Sequence, residues 1–310
     1  MSFDLTTPIY TDADVARAHL ETLHWPDGAF CPHCGSFGVT RLMGKSTRPG
    51  VHKCKDCRKL FTVTVGTIFE DSKIPLNKWL LAFRLMASSK KGISAHQLHR
   101  SIGITYKSAW FMAHRIREAM GIGADAEPLG GENKVVEADE TNVGGKEVNK
   151  HASKRANAGR GAVGKQAVVA LVEREGHVAS FHVANVTAKT LRPIIVTTVS
   201  RKSHLMTDEA KVYPAVGAGF KSHSSVNHGA GEYVKVGGFA HTNTVENFFS
   251  IFKRGIIGPY HHVSEAHLQR YCPEFDFRYN RRKVTDAERT NAAMVGAKGK
   301  RLTYRRIDNA

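Results

Sequence analysis

The chain has 310 residues, enough for two or three domains, and carries 45 Lys+Arg against 28 Asp+Glu, a formal net charge of +17. That excess points to a polyanionic partner, nucleic acid first among the candidates. No apolar run approaches the roughly 20 residues of a membrane helix, and five cysteines are too few for a secreted disulfide scaffold; a soluble, cytoplasmic protein is expected.

Residues 1–24 read as an acidic, amphipathic helical lead-in rather than a signal peptide, with Thr11 as N-cap. Residues 25–75 hold 31-CPHC-34, then nineteen residues, then 54-CKDC-57. Each C-x-x-C forms a tight knuckle that aims two thiolates at one point. Two knuckles complete the tetrahedral four-thiolate site of structural zinc, with Cys31, Cys34, Cys54 and Cys57 as ligands and no open position for catalysis. The run KLFTVTVGTIF that follows is β-rich. Cys272 stands apart on a helical pattern and reads as a buried apolar residue.

Residues 76–121 read as helices. In LNKWLLAFRLMASS, Leu76, Leu80, Phe83 and Ala87 share a face flanked by Trp79 and Met86. Gly92 ends that helix and Ser94 caps the next. Gly103 then supplies a turn, and Thr105 caps YKSAWFMAHRIREAM. Two short helices around a Gly-containing turn make a helix-turn-helix pattern. The second helix would present Tyr106, Lys107, Arg115 and Arg117 to a major groove, around an apolar face of Ala109, Met112 and Ile116.

The Gly-rich stretch 121–133 is the expected linker to a catalytic domain over 133–284, and 285–310 is a basic C-terminal tail. A strand begins at Val135, with Val135, Glu137, Asp139 and Thr141 on one face and Glu140 on the other. Residues 144–165, basic and Gly/Ala-rich, are expected to form a mobile loop within that domain. Two strands, 166–174 and 177–184, make a hairpin about Glu175-Gly176. Thr187 caps a helix over 188–200, which Pro193 is expected to disturb midway unless its early part is a loop. A short apolar strand ends near Asp208, where an acid faces a cleft in α/β sheets. A helix then carries Glu246. At about 100° per residue, Glu246 and Lys253 lie within roughly 20° of one another, whereas Asn247 lies about 120° from Lys253. Arg254 adjoins Lys253 on the DNA-facing side. Seven histidines (His204, His223, His228, His241, His261, His262, His267) lie in this region; none has a C-x-x-C nearby, which favours solvated or phosphate-contacting roles over a second zinc site.

The order β-β-β-α-β-α, with acids on the first strand, after the fourth and on a later helix, looks like an RNase-H-like domain, an α/β fold with a mixed sheet flanked by helices. In that setting Asp139, Asp208 and Glu246 would hold Mg2+ or Mn2+, hard ions that prefer oxygen and share substrate phosphates. The whole chain resembles the zinc-ribbon DDE transposases of bacterial insertion sequences, through CPHCGS, HKCKDCRKLFTVTVGTIFEDSKIPLNKW, VEADETNVGGK, LMTDEA, HTNTVENFFSIFKRGIIGPYHHVSEAHLQRY and EFDFRYNRR. The resemblance implies an Asp139-Asp208-Glu246 triad with Lys253 as the downstream basic residue. It further implies double-stranded DNA as partner, a homo-oligomer that synapses two element ends, nucleoid association, and cleavage followed by strand transfer. Pro273 is expected to kink or shorten the helix around it. Two other readings stay open: a zinc-ribbon and helix-turn-helix regulator with an inert RNase-H-like domain, and a nuclease without strand transfer.

Overall fold

The computed structural model describes residues 4–121, 123, 127–145, 150–155, 164–227, 232, 234–235, 237 and 239–303. Parts of the expected linker and of the 144–165 loop, His228 and the end of the basic tail lie outside the described residues. The chain divides into two compact units, one formed by residues 1–121 with 283–310 and the other by 122–282.

The first unit opens with α1 (Pro8–Thr11) and α2 (Ala13–His24). The cap of α2 is Asp12, not Thr11: the Asp12 carboxylate accepts from the Asp14 and Val15 amides. A three-stranded antiparallel sheet follows, β1 (Val39–Arg41), β2 (His52–Cys54) and β3 (Leu60–Phe61). The expected long β-run stops at Phe61. Beyond it the threonine hydroxyls bond locally, Thr62 to Thr64 at 2.7 Å and Thr67 to the Thr64 carbonyl at 2.6 Å, which favours turns over a ladder.

Three helices come next: α3 (Leu76–Ser88), α4 (Ala95–Ile102) and α5 (Tyr106–Met120). Ser94 and Thr105 cap α4 and α5 through the Gln97 and Ser108 amides, and Gly103 takes the left-handed conformation (φ 63°) between them. The apolar face of α3 is fully covered: Trp79, Leu80, Phe83, Met86 and Ala87 are buried, and Phe69 packs edge-on to Trp79. The segment expected as a basic tail contains a helix, α10 (Asp286–Val295), with a Thr285–Glu288 capping box, and it packs on α3.

The second unit is a five-stranded mixed sheet. Its strands are β4 (Val135–Val143), β5 (Gln166–Glu173), β6 (Val178–Val183), β7 (His204–Thr207) and β8 (Ser222–Ser225), in the order β6-β5-β4-β7-β8. The β4, β5 and β6 pairs are antiparallel; β7 runs parallel to β4, and β8 parallel to β7. The polar SHSS sequence of β8 gives little strand signal, and it forms because it lies at the sheet edge.

Side-chain alternation divides the core. Val136, Ala138, Val169 and Leu171 face α6 (Ala188–Thr198) and α7 (Pro214–Gly217), against Leu191, Ile195, Tyr213 and Val216. Val143, Val168, Ala170 and Val172 face α8 (Asn243–Ile257) and α9 (Glu265–Asn280), against Phe248, Phe249, Phe252, Leu268 and Phe275. This is the RNase-H-like architecture. Pro273 does not shorten α9, which runs unbroken through it for 16 residues. Its buried face, with Tyr271, Cys272, Phe275 and Phe277, offsets the one backbone hydrogen bond that proline removes.

Candidate active site

Strand alternation puts Glu137 and Asp139 on the α8 side of β4 and Glu140 on the α7 side. β7 pairs with β4 over Val135–Glu137, matched to His204–Met206. The same register carried two residues further brings Asp208 opposite Asp139. Asp139 thus lies midway along β4, and Asp208 immediately follows the carboxyl end of its parallel neighbour β7, a strand end of the kind at which α/β sheets present their clefts. Glu246 approaches from the first turn of α8 and accepts from the Thr242 hydroxyl at 3.4 Å.

Asp139 Oδ1 accepts from the Glu140 amide at 2.7 Å, and Asp208 Oδ1 from the Ala210 amide at 3.0 Å. Burial pushes the Asp139 carboxyl up to about 7, and the like charges of Glu140, Asp208 and Glu246 push it the same way, against the Glu140 amide bond. The three acids of the sequence reading are therefore electrostatic neighbours. They are not collapsed together: among the described residues only the four cysteines bring three or more ligand atoms within 4.8 Å of one another. An all-oxygen set of this kind suits a hard divalent ion.

Lys253 and Arg254 are exposed near the end of α8, while Val245, Phe248, Phe249 and Phe252 are buried beneath. Tyr106 and Lys107 are exposed at the start of α5. Arg115 and Arg117 are not: they are 8% and 3% exposed, so they are withdrawn as DNA contacts. Arg115 instead donates to the Leu302, Ile68 and Glu70 carbonyls at 3.0, 2.7 and 3.0 Å. The helical wheel could not separate them from groove-facing residues, because long cationic side chains also serve as internal staples.

The histidines divide likewise. His204 meets Ser222 at 2.5 Å, His223 meets Thr207 at 2.9 Å, and His241 Nδ1 lies 3.2 Å from Glu137. These three are partly buried and lie against protein groups. His261 and His262 are exposed.

Two contributors carry no sequence signal of their own role. Glu137 is fully buried and ion-paired to Arg174 at 2.6 Å. Tyr213 is buried and donates to Glu140. Glu137 is one of three acids on β4, with nothing in the strand to set its role apart, and its partner 37 positions away was not legible.

In the first unit the four Sγ atoms form one cluster, with Cys31–Cys57 at 3.5 Å and Cys34–Cys54 at 3.6 Å. Zn–S bonds of about 2.3 Å span a tetrahedron with edges of about 3.8 Å, so the cluster fits structural zinc. The knuckle amides aim at the sulfurs: N–H groups of Cys57 and Asp56 pull the Cys54 thiol down to about 7.

An RNase-H-like sheet with acids midway along β4, just after β7 and on α8, and a four-cysteine ribbon earlier in the chain, is the organisation of a DDE transposase. Residues 128–280 match the ISXO2-like transposase domain and residues 11–60 the transposase zinc-ribbon domain. The chain is 30% identical over 285 residues to the "Uncharacterized protein in transposable element ISH50" of Halobacterium salinarum, an alignment covering 87% of this chain and 92% of that protein. The chain belongs to the ISXO2-like transposase family.

Proposed function

We propose that the protein cleaves the ends of its own insertion element and joins the freed 3′-OH to target DNA, with Asp139, Asp208 and Glu246 as the catalytic carboxylates. The observation that supports this reading is that the charges of Asp208, just after β7, and Glu246, on α8, both act on buried Asp139 on the strand β7 pairs with. Bound Mg2+ or Mn2+ would supply Lewis acidity to the attacking and leaving oxygens. The three carboxylates would hold these ions. Exposed Lys253, two turns beyond Glu246, takes a DNA phosphate, and Arg254 adds a second cation.

The chemistry balances without ATP. Water attacks the phosphorus at the element end, and the bond to the 3′ oxygen breaks. The released 3′-OH then attacks a target phosphorus and displaces the target's 3′ oxygen, so one phosphodiester replaces another. The zinc ribbon and the α4–α5 pair, with Tyr106 and Lys107 at its exposed edge, bind the element ends. A homo-oligomer brings two ends together. No helix among the described residues is long and apolar enough to cross a membrane, and the basic charge suits action at the nucleoid.

The test uses purified protein, DNA carrying the inverted repeats that flank its gene, and Mg2+ or Mn2+. Wild type is expected to release 3′-OH ends and form joined products, and Asp208→Asn to bind the ends without cutting. Tight binding with no cleavage by either protein would sink the proposal and leave the regulator reading. Cleavage without joining would leave the nuclease.

A further inference from the structure

The N-terminus of α8 is held by a residue that is neither one of the three acids nor part of the helix. Helix α8 has no cap of its own, since Thr242 makes no side-chain bond to the first-turn amides. Those amides find their acceptor on β4. Glu137 Oε2 accepts from the Thr244 and Val245 N–H groups at 2.8 and 3.0 Å. Glu137 Oε1 accepts from the Thr244 hydroxyl at 2.9 Å and from Arg174 Nε at 2.6 Å. Arg174 continues the clamp into the approach to the helix, donating to the Phe239 and His241 carbonyls at 2.7 and 2.9 Å.

We propose that Glu137 is a positioning residue that fixes α8 against β4 and thereby holds Glu246 beside Asp139. The inference rests on the reading of these acids as the catalytic set. Glu137 points to the same side of β4 as Asp139, two residues away. Its oxygens, however, are already taken by four donors, with His241 Nδ1 close by. It therefore does not serve as a further metal ligand. A local Ser or Asp cap would satisfy the amides equally well. It would not set where the helix sits. A carboxylate on the central strand does both, because each amide bond is also a tether between β4 and α8. Burying that charge is costly unless it is fully partnered, and Arg174 together with the helix N-terminus provides the partners. Glu246 immediately follows the tethered Val245, so a slip of the first turn would carry its carboxylate away from Asp139.

The test compares wild type, Glu137→Gln and Thr244→Val in the full-length protein. The readouts are amide hydrogen exchange, binding of element-end DNA, and cleavage rate at saturating DNA. Glu137→Gln is expected to raise exchange about tenfold over residues 241–250 while β4, β5 and β6 stay protected. The cleavage rate should fall about 100-fold, as for a misplacement of about 1 Å, with the half-saturating DNA concentration unchanged within about threefold. Thr244→Val deletes one tether and leaves the core intact, so it should show the same pattern more weakly; it decides the matter if Glu137→Gln does not fold. Unchanged exchange over 241–250, or exchange rising equally across the sheet, would overturn the proposal. Local loosening with an unchanged cleavage rate would also overturn the positioning claim. If wild type itself neither cuts nor joins DNA, the transposase reading fails, and the exchange comparison still tests the tether.

Discussion

The Tyr213 hydroxyl donates to the Glu140 carboxylate and so ties the turn after β7 to the central strand. Tyr213 is fully buried, and its own proton is held firmly, first by burial and then by the neighbouring charge of Glu140. Asp208 lies between β7 and Tyr213, so this bond anchors the segment that carries it to β4. Tyr213→Phe keeps the ring and removes only the donor. It is expected to cost about 1–3 kcal/mol of stability in the catalytic unit and to lower the cleavage rate more than it weakens DNA binding. Equal activity in urea-matched preparations of the two proteins would argue against the tie.

The zinc ribbon offers a sharper contrast. Its strands span three, three and two residues, and its buried cluster is Cys31, Cys54 and Phe61. So small a core does not fold without its metal. Cys54→Ser, or chelation of zinc, is expected to unfold residues 25–75 and weaken end binding at least tenfold, while the second unit keeps its melting transition. Undiminished end binding by Cys54→Ser would show that the ribbon does not contribute to recognition.

Arg115 and Lys107 lie on the same helix and should fail in different ways. Arg115 bonds three carbonyls and lies over the Phe111 ring at 4.8 Å. Arg115→Met should cost roughly 2–4 kcal/mol by leaving buried acceptors unmet. It should not alter the salt dependence of DNA binding in protein that remains folded. Lys107 is exposed, and Lys107→Ala should reduce the slope of log K against log salt by about 1 with little change in melting temperature. Titration of end binding over a range of salt concentrations distinguishes the two.

These cases show what the sequence could carry. Local chemistry was legible: the caps at Ser94, Thr105 and Thr187, the hairpin about Glu175, the knuckles, and the alternation that separates Asp139 from Glu140. Each depends on neighbours within a few positions. The tethers Glu137–Thr244, Glu137–Arg174 and Glu140–Tyr213 join residues 107, 37 and 73 positions apart, and no periodicity encodes them. Strand β8 was illegible for a different reason. An edge strand needs only one partner and no apolar side chain, so SHSS satisfies it without the usual pattern.

Asp276 gives the last prediction, on pH. It is buried in α9, where its carboxyl oxygens accept from the Ser180 amide at 2.9 Å and the Ser180 hydroxyl at 2.6 Å on β6. Burial raises it to about 8, against the pull of those two bonds. In the unfolded chain an aspartate titrates near 4. Between about pH 4 and 8 the folded state therefore holds a proton that the unfolded state has released, so stability falls as pH rises through that window. The contribution is complete below about pH 4 and lost as pH passes about 8. Asp276→Asn can accept from the amide and donate to the hydroxyl without titrating. Its stability should match wild type near pH 5 and exceed it by a few kcal/mol near pH 8. Urea midpoints of the second unit across pH 5–8.5, with chelator present, measure this. Asp139 is raised in the same direction, to about 7, so the Asp276→Asn protein should keep a shallower slope of the same sign. Parallel curves for wild type and Asp276→Asn would mean that the buried carboxyl is ionised and paired in the folded state.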